Sequence, residues 1–203
     1  MGILPLELAK HERRNPTWAM ALTFPDQGGW TVTEYLDLDI GRHVEFEQGC
    51  LELLPMPDNE HQDIAFFIAQ ALKEYANEHG GRAAIAPLPM MLWKEKFREP
   101  DVMFMKEENV SRLKGKYWHR ADLAVEIVSK SNKSHDLQIK RAEYAKARIP
   151  EYWIVDPRKE TITVLALKKN SYAVHGEFKK GQKAASKLIP GFSVDVKAAL
   201  EAR

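Results

Sequence analysis

Cysteine is almost absent from this chain: Cys50 is the single one among 203 residues. One thiol excludes an internal disulfide and a zinc site built from several cysteines. It suits a reducing compartment, so a cytoplasmic location is expected. No apolar run approaches the roughly 20 residues that span a bilayer. The N-terminal stretch lacks the apolar segment and small-residue cleavage site of a secretory signal. These absences point away from a membrane partner. A glycine-rich phosphate loop is also missing, which weighs against nucleoside triphosphate use. A large net charge is missing too: the formal total is +1, so the chain as a whole is not a polycation.

What is there has an ordinary globular composition, 44% hydrophobic and 29% charged. That is enough for one well-cored domain with extensions. The charge is uneven. Residues 130–187 hold fourteen Lys and Arg against six Asp and Glu, a net of +8, and the rest of the chain carries −7. Such a basic half is either a phosphate-binding face or a set of solvated loops and strand edges, where lysines also block edge-to-edge pairing.

Residues 1–30 contain Pro5, Pro16, Pro25 and the pair Gly28-Gly29 and show little periodicity. They read as an N-terminal extension, helical around 6–13, ahead of a folded domain over 31–203. Thr31 and Glu34 form a capping box for a short helix to 38. A hairpin follows over 44–47 and 51–54, with Gly49 at its turn. Asp58 or Asn59 caps a helix over 60–78 whose apolar stripe is Ile64, Phe67, Ile68, Ala71, Leu72 and Tyr75. Strands are predicted at 83–86, 90–93, 101–105 and 123–128, with a polar loop over 107–120. A second long helix spans 135–148 and ends at Ile149-Pro150. Strands then follow at 152–155, 161–167 and 172–178, another after Pro190-Gly191, and a terminal helix over 196–202. This order predicts an α/β (α+β) domain, a mixed central sheet with helices packed on it.

Three residues carry the chemistry. Ala121 to Val128 is apolar except for Asp122 and Glu126, and the run reads as an interior strand. A period of two sets Ala124, Glu126 and Val128 on one face and Leu123, Val125 and Ile127 on the other. Glu is seldom buried unless it is paired or binds a metal. The plainer alternative is a Glu at the strand's end, exposed or paired with a nearby Lys. Asp101, held by Pro100 at the start of another strand, supplies a second carboxylate, although alone it reads as a turn cap. Two carboxylates hold a hard divalent cation. Lys140 comes from the next helix, where Asp136, Lys140 and Tyr144 lie four apart on one side. Asp136 either holds Lys140 or pairs with it at the surface, and an isolated Lys140 would read as a solvated helix residue.

The chain resembles the Uma family of restriction-endonuclease-like proteins, within the PD-(D/E)XK nuclease superfamily. The resemblance runs through Glu45-Phe-Glu-Gln-Gly49, Leu51-Glu-Leu-Leu-Pro55, His61 and Pro100-Asp101. It continues with Val125-Glu126-Ile-Val-Ser129, Asp136-Leu-Gln-Ile-Lys140, Tyr144, Ile149-Pro-Glu-Tyr-Trp-Ile-Val-Asp-Pro157 and Ile189-Pro-Gly-Phe192. It implies the restriction-endonuclease-like fold and covers about residues 31–200. It also implies Asp101 and Glu126 as metal ligands, the Ile127 carbonyl as a third, and Lys140 as the catalytic lysine. Glu45 and His61 match further family positions that complete the site, although His61, at the start of the first long helix, reads equally as a capping or packing residue. The wider superfamily carries its lysine two residues after the strand carboxylate, where this chain has Val128.

The leading expectation is a Mg²⁺- or Mn²⁺-dependent endonuclease acting on DNA as a homodimer. Lys130, Lys133 and Arg141 would contact the backbone. Two rivals stand beside it. One is a nuclease fold that holds nucleic acid or a protein without cutting, and the other is a metal-dependent enzyme for a small phosphate ester.

Overall fold

The computed structural model describes residues 24–41, 43–129 and 134–203, with side chains in the last stretch from Leu137 onward. The expected helix around 6–13, Lys130, Lys133 and the side chain of Asp136 lie outside the described residues.

A short helix α1 (Val32–Leu36) opens the domain. Its start is the capping box: Glu34 N–H donates to Thr31 Oγ1 at 3.2 Å, and Thr31 N–H donates to Glu34 Oε2 at 2.8 Å. Strands β1 (Val44–Glu47) and β2 (Cys50–Leu53) form the expected hairpin. Gln48 and Gly49 both have positive φ, 46° and 80°, the backbone of a tight two-residue turn. A Cβ at Gly49 would sit 2.5 Å from the Gly28 carbonyl oxygen, so only glycine fits there. Helix α2 (Asn59–His79) starts where Asp58 Oδ1 accepts the His61 N–H at 3.0 Å and ends at Gly80.

Next come β3 (Arg82–Ile85), β4 (Met90–Trp93), β5 (Lys96–Arg98), β6 (Val102–Met105), β7 (Trp118–His119) and β8 (Leu123–Ile127). Helix α3 (Ser134–Lys146) leads to β9 (Glu151–Asp156), β10 (Thr161–Lys168) and β11 (Ser171–Lys179). The chain closes with β12 (Lys183–Ala185), β13 (Ser193–Asp195) and α4 (Val196–Leu200).

The main sheet has six strands in the order β11-β10-β9-β8-β6-β3, mixed because β8 and β9 run parallel and their other neighbours antiparallel. A second sheet of five strands is ordered β2-β1-β5-β4-β7, and β12 pairs with β13. The two faces of β8 are separated as the period of two requires. Leu123, Val125 and Ile127 join Ile64, Ile68 and Leu72 of α2 in one core. Ala124 joins Tyr144 and Ala145 of α3, together with Met90 and Leu92 of β4, in another.

The structure differs from expectation in detail. The 107–120 segment is not a plain loop: it holds a 3₁₀ helix (Glu107–Arg112) and β7. Strand β5 was not foreseen because Lys96-Phe97-Arg98 reads as surface, yet all three residues are buried. Both cations are neutralised inside the protein, as described next. The single central sheet of the expectation is accompanied by the five-stranded one, to which β5 belongs.

Candidate active site

Asp101 stands just before β6 and Glu126 sits on β8. These strands pair directly, with Val102 opposite Val125. Both carboxylates, together with His61, Glu99, Ile127 and Lys140, line one cavity of about 230 Å³. Asp101 is held from two sides: Ile127 N–H donates to its Oδ2 at 2.7 Å, and His61 Nε2 lies 3.1 Å from the same oxygen. His61 comes from the first turn of α2, so the Asp58 cap also fixes this histidine. Its Nδ1 is buried and has no hydrogen-bond partner.

Glu126 is 2% exposed, which removes the reading of a solvent-facing strand end. Tyr144 Oη–H donates to its Oε1 at 2.6 Å, and Lys140 Nζ donates to its Oε2 at 2.8 Å. Lys140 is itself 5% exposed, so it is not a solvated helix lysine. A second carboxylate, Glu45 Oε1, lies 3.5 Å from the amine. Lys140 and Tyr144 are one turn apart on α3, and the helix lays both against Glu126. The amine that is missing at Val128 is thus supplied across the face of the sheet.

Electrostatics follow from this crowding. Burial raises the pKa of Glu126; Lys140 works against that shift and Asp101 adds to it. Burial alone would lower Lys140, but Glu126 and Glu45 outweigh it and hold the amine charged. Burial likewise opposes charge on His61, and Asp101 reverses the balance so that its pKa is raised. Tyr144, buried beside Glu126, is pushed well above the ordinary phenol range and stays a proton donor.

Behind Lys140 runs a chain of alternating charges. Arg98 Nη1 pairs with Glu45 Oε2, and Arg98 Nε donates to Glu143 Oε2 at 2.7 Å. Glu143 Oε1 accepts from Lys96 Nζ at 2.8 Å, and Lys96 also holds Glu47 at 2.6 Å. Glu143 stands three residues after Lys140, so the five-stranded sheet grips the helix next to its catalytic candidate. Sequence reasoning missed Lys96, Arg98, Glu99, His43 and Glu143. One signal was readable: Glu99 precedes Asp101 by two in an extended segment, which puts both on one side.

Among the described residues, no group of three His, Cys, Asp or Glu forms a cation-holding cluster. A pair of carboxylates remains. Asp101 and Glu126 offer on one cavity the oxygen donors that hard divalent cations take. Ile127 lines the cavity and commits its N–H to Asp101. Arg141 is not brought to the cavity: its Nη2 donates to the Tyr172 carbonyl at 2.9 Å.

The model of the Uma2 family, described as "Putative restriction endonuclease", matches residues 32–197. The chain belongs to this family. The crystal structure of a "putative nuclease" from Anabaena variabilis superposes on the chain with a TM-score of 0.67 at 16% sequence identity. The match covers 84% of this chain and 97% of that one, and it shows that the two share a fold. No curated protein matches the chain in sequence. Family and fold together support a nuclease-type function, and the Uma2 match spans the residues that line the cavity, from His43 to Lys140.

Proposed function

We propose that the protein is a divalent-metal-dependent endonuclease that hydrolyses DNA phosphodiester bonds. The observation that carries this reading is the meeting of Asp101, Glu126 and Lys140 at one cavity, with the amine buried against Glu126. Asp101 and Glu126, with the Ile127 carbonyl, would hold Mg²⁺ or Mn²⁺. A cation there supplies Lewis acidity and lowers the pKa of a bound water. Lys140, kept charged by Glu126 and Glu45, orients the attacking water or neutralises charge developing on the phosphate. Tyr144 fixes the Glu126 carboxylate, and His61 fixes Asp101. Cutting both strands of a duplex needs two sites, and closed two-fold pairing is the commonest assembly, so the working form is a homodimer.

Cleavage of a plasmid and of oligonucleotides, with and without Mg²⁺ or Mn²⁺, tests the proposal. Wild type cuts only with metal, and Asp101→Asn does not cut. Metal-independent binding without cleavage by wild type would instead support the non-cleaving module.

A further inference from the structure

Beside the cavity just described lies a second, of about 530 Å³. The two share His43, Met56 and Glu99 in their walls, so one opens beside the other. Leu38, Ile40, Pro87 and Leu88 give the second cavity apolar sides. Its volume falls within the range of about 300–1,000 Å³ typical of small-molecule sites.

Glu99 marks the partition. It is 7% exposed, and its Oε2 accepts no hydrogen bond; the Nδ1 of His43, whose pKa burial lowers, is 3.7 Å away. Buried acceptors are almost always satisfied, and one left open at the wall of a cavity points to a donor that arrives with a ligand. Nothing in the hydrolytic chemistry proposed above uses this oxygen.

We propose that the second cavity receives an unpaired nucleobase of the nucleic acid whose backbone lies at Asp101 and Glu126, with Glu99 accepting an N–H from the edge of the base. This rests on the nuclease reading and adds a site to it. Several features favour a base over other occupants. The apolar sides suit the faces of a flat ring. The open carboxylate oxygen suits amino and ring N–H groups, which bases present on their edges. A phosphate would be repelled by Asp39, which also lines the cavity, and Lys116 of the same wall is already paired with Asp37. A purely apolar guest would leave Glu99 unmet. A base must be unstacked to enter, so single-stranded or mismatched substrate is favoured over a perfect duplex.

The test is binding of the full chain, with Ca²⁺, to fluorescent single strands of equal length and charge: a dC homopolymer and an abasic deoxyribose-phosphate strand. The expected result is that the abasic strand binds about tenfold more weakly, the scale of one stacked base. Leu38→Trp, which fills the second cavity and does not line the first, abolishes that difference. Glu99→Gln weakens dC binding severalfold. Melting curves establish that each variant is folded, and the wild-type comparison stands without them. Equal affinity for the two strands overturns the inference and leaves the nuclease reading intact. So does a dC preference that both folded variants retain. Failure of wild type to bind any strand removes both.

Discussion

Two glutamates on neighbouring strands, Glu126 of β8 and Glu151 of β9, are both buried and have partners of opposite kinds. Glu151 accepts from Trp153 Nε1 at 2.8 Å and Ser186 Oγ at 2.6 Å on one oxygen. Its other oxygen accepts the backbone N–H groups of Lys187 and Leu188 at 2.7 and 2.8 Å. Four neutral donors, two to each oxygen, tie the 186–188 loop to the sheet, and Glu151 lines none of the described cavities. Glu126 has one phenol, one ammonium and a nearby carboxylate, and it opens on a cavity. Burial alone therefore does not mark a functional carboxylate. The partners differ in kind: four neutral donors at Glu151, and at Glu126 a charged amine and a phenol on the wall of a cavity.

The largest effect on stability is expected at the structural glutamate. Glu151→Leu strips four donors of their acceptor and should cost about 3–5 kcal/mol. In a domain of this size that lowers the melting temperature on the order of 10 °C, with or without Mg²⁺. An unchanged melt would erase the contrast. Next comes Lys140→Ala, which leaves Glu126 and Glu45 buried beside each other without their shared cation. A loss of about 3 kcal/mol is expected. Unlike the first, it should be partly recovered by Mg²⁺, because the cation replaces the lost charge. Cleavage should fall about a hundredfold or more, whereas Lys146→Ala, whose amine lies 4.3 Å over the Trp93 ring, should cut normally.

A smaller effect sharpens the comparison further. Mg²⁺ at a hundred times its Kd should stabilise wild type by about 2.7 kcal/mol. Glu126→Gln should lose this gain, and Glu151→Gln should keep it, in paired calorimetric scans. Equal gains in both would place the metal elsewhere. Smallest of all, Ser186→Ala removes one of the four donors to Glu151. It should cost about 1 kcal/mol in urea melts and leave the metal response untouched.

How far these roles were legible in the sequence depends on whether the deciding partners are local. The strand carrying Glu126, the two-face alternation of β8 and the Asp58-capped helix all follow from spacing along the chain, and all appear in the structure. Lys140 could be named because an ordered series of motifs resembled a family; helical periodicity alone could not tell it from a surface lysine. The pairing of Lys96 and Arg98 with Glu47, Glu45 and Glu143 was hidden, because those partners lie as many as 53 residues away and polar residues in isolation read as solvated. Glu151 was equally opaque. Its donors at 186–188 come from the far side of β10 and β11, so its latch exists only once the sheet is built.

The account turns on Glu126 being the working carboxylate of the pair. Single-turnover cleavage of an oligonucleotide at saturating Mg²⁺, well below the melting temperature of every variant, compares wild type, Glu126→Gln and Glu151→Gln directly. The prediction is a loss of about a hundredfold or more for Glu126→Gln and a near wild-type rate for Glu151→Gln. Cleavage by Glu126→Gln at the wild-type rate would contradict the assignment.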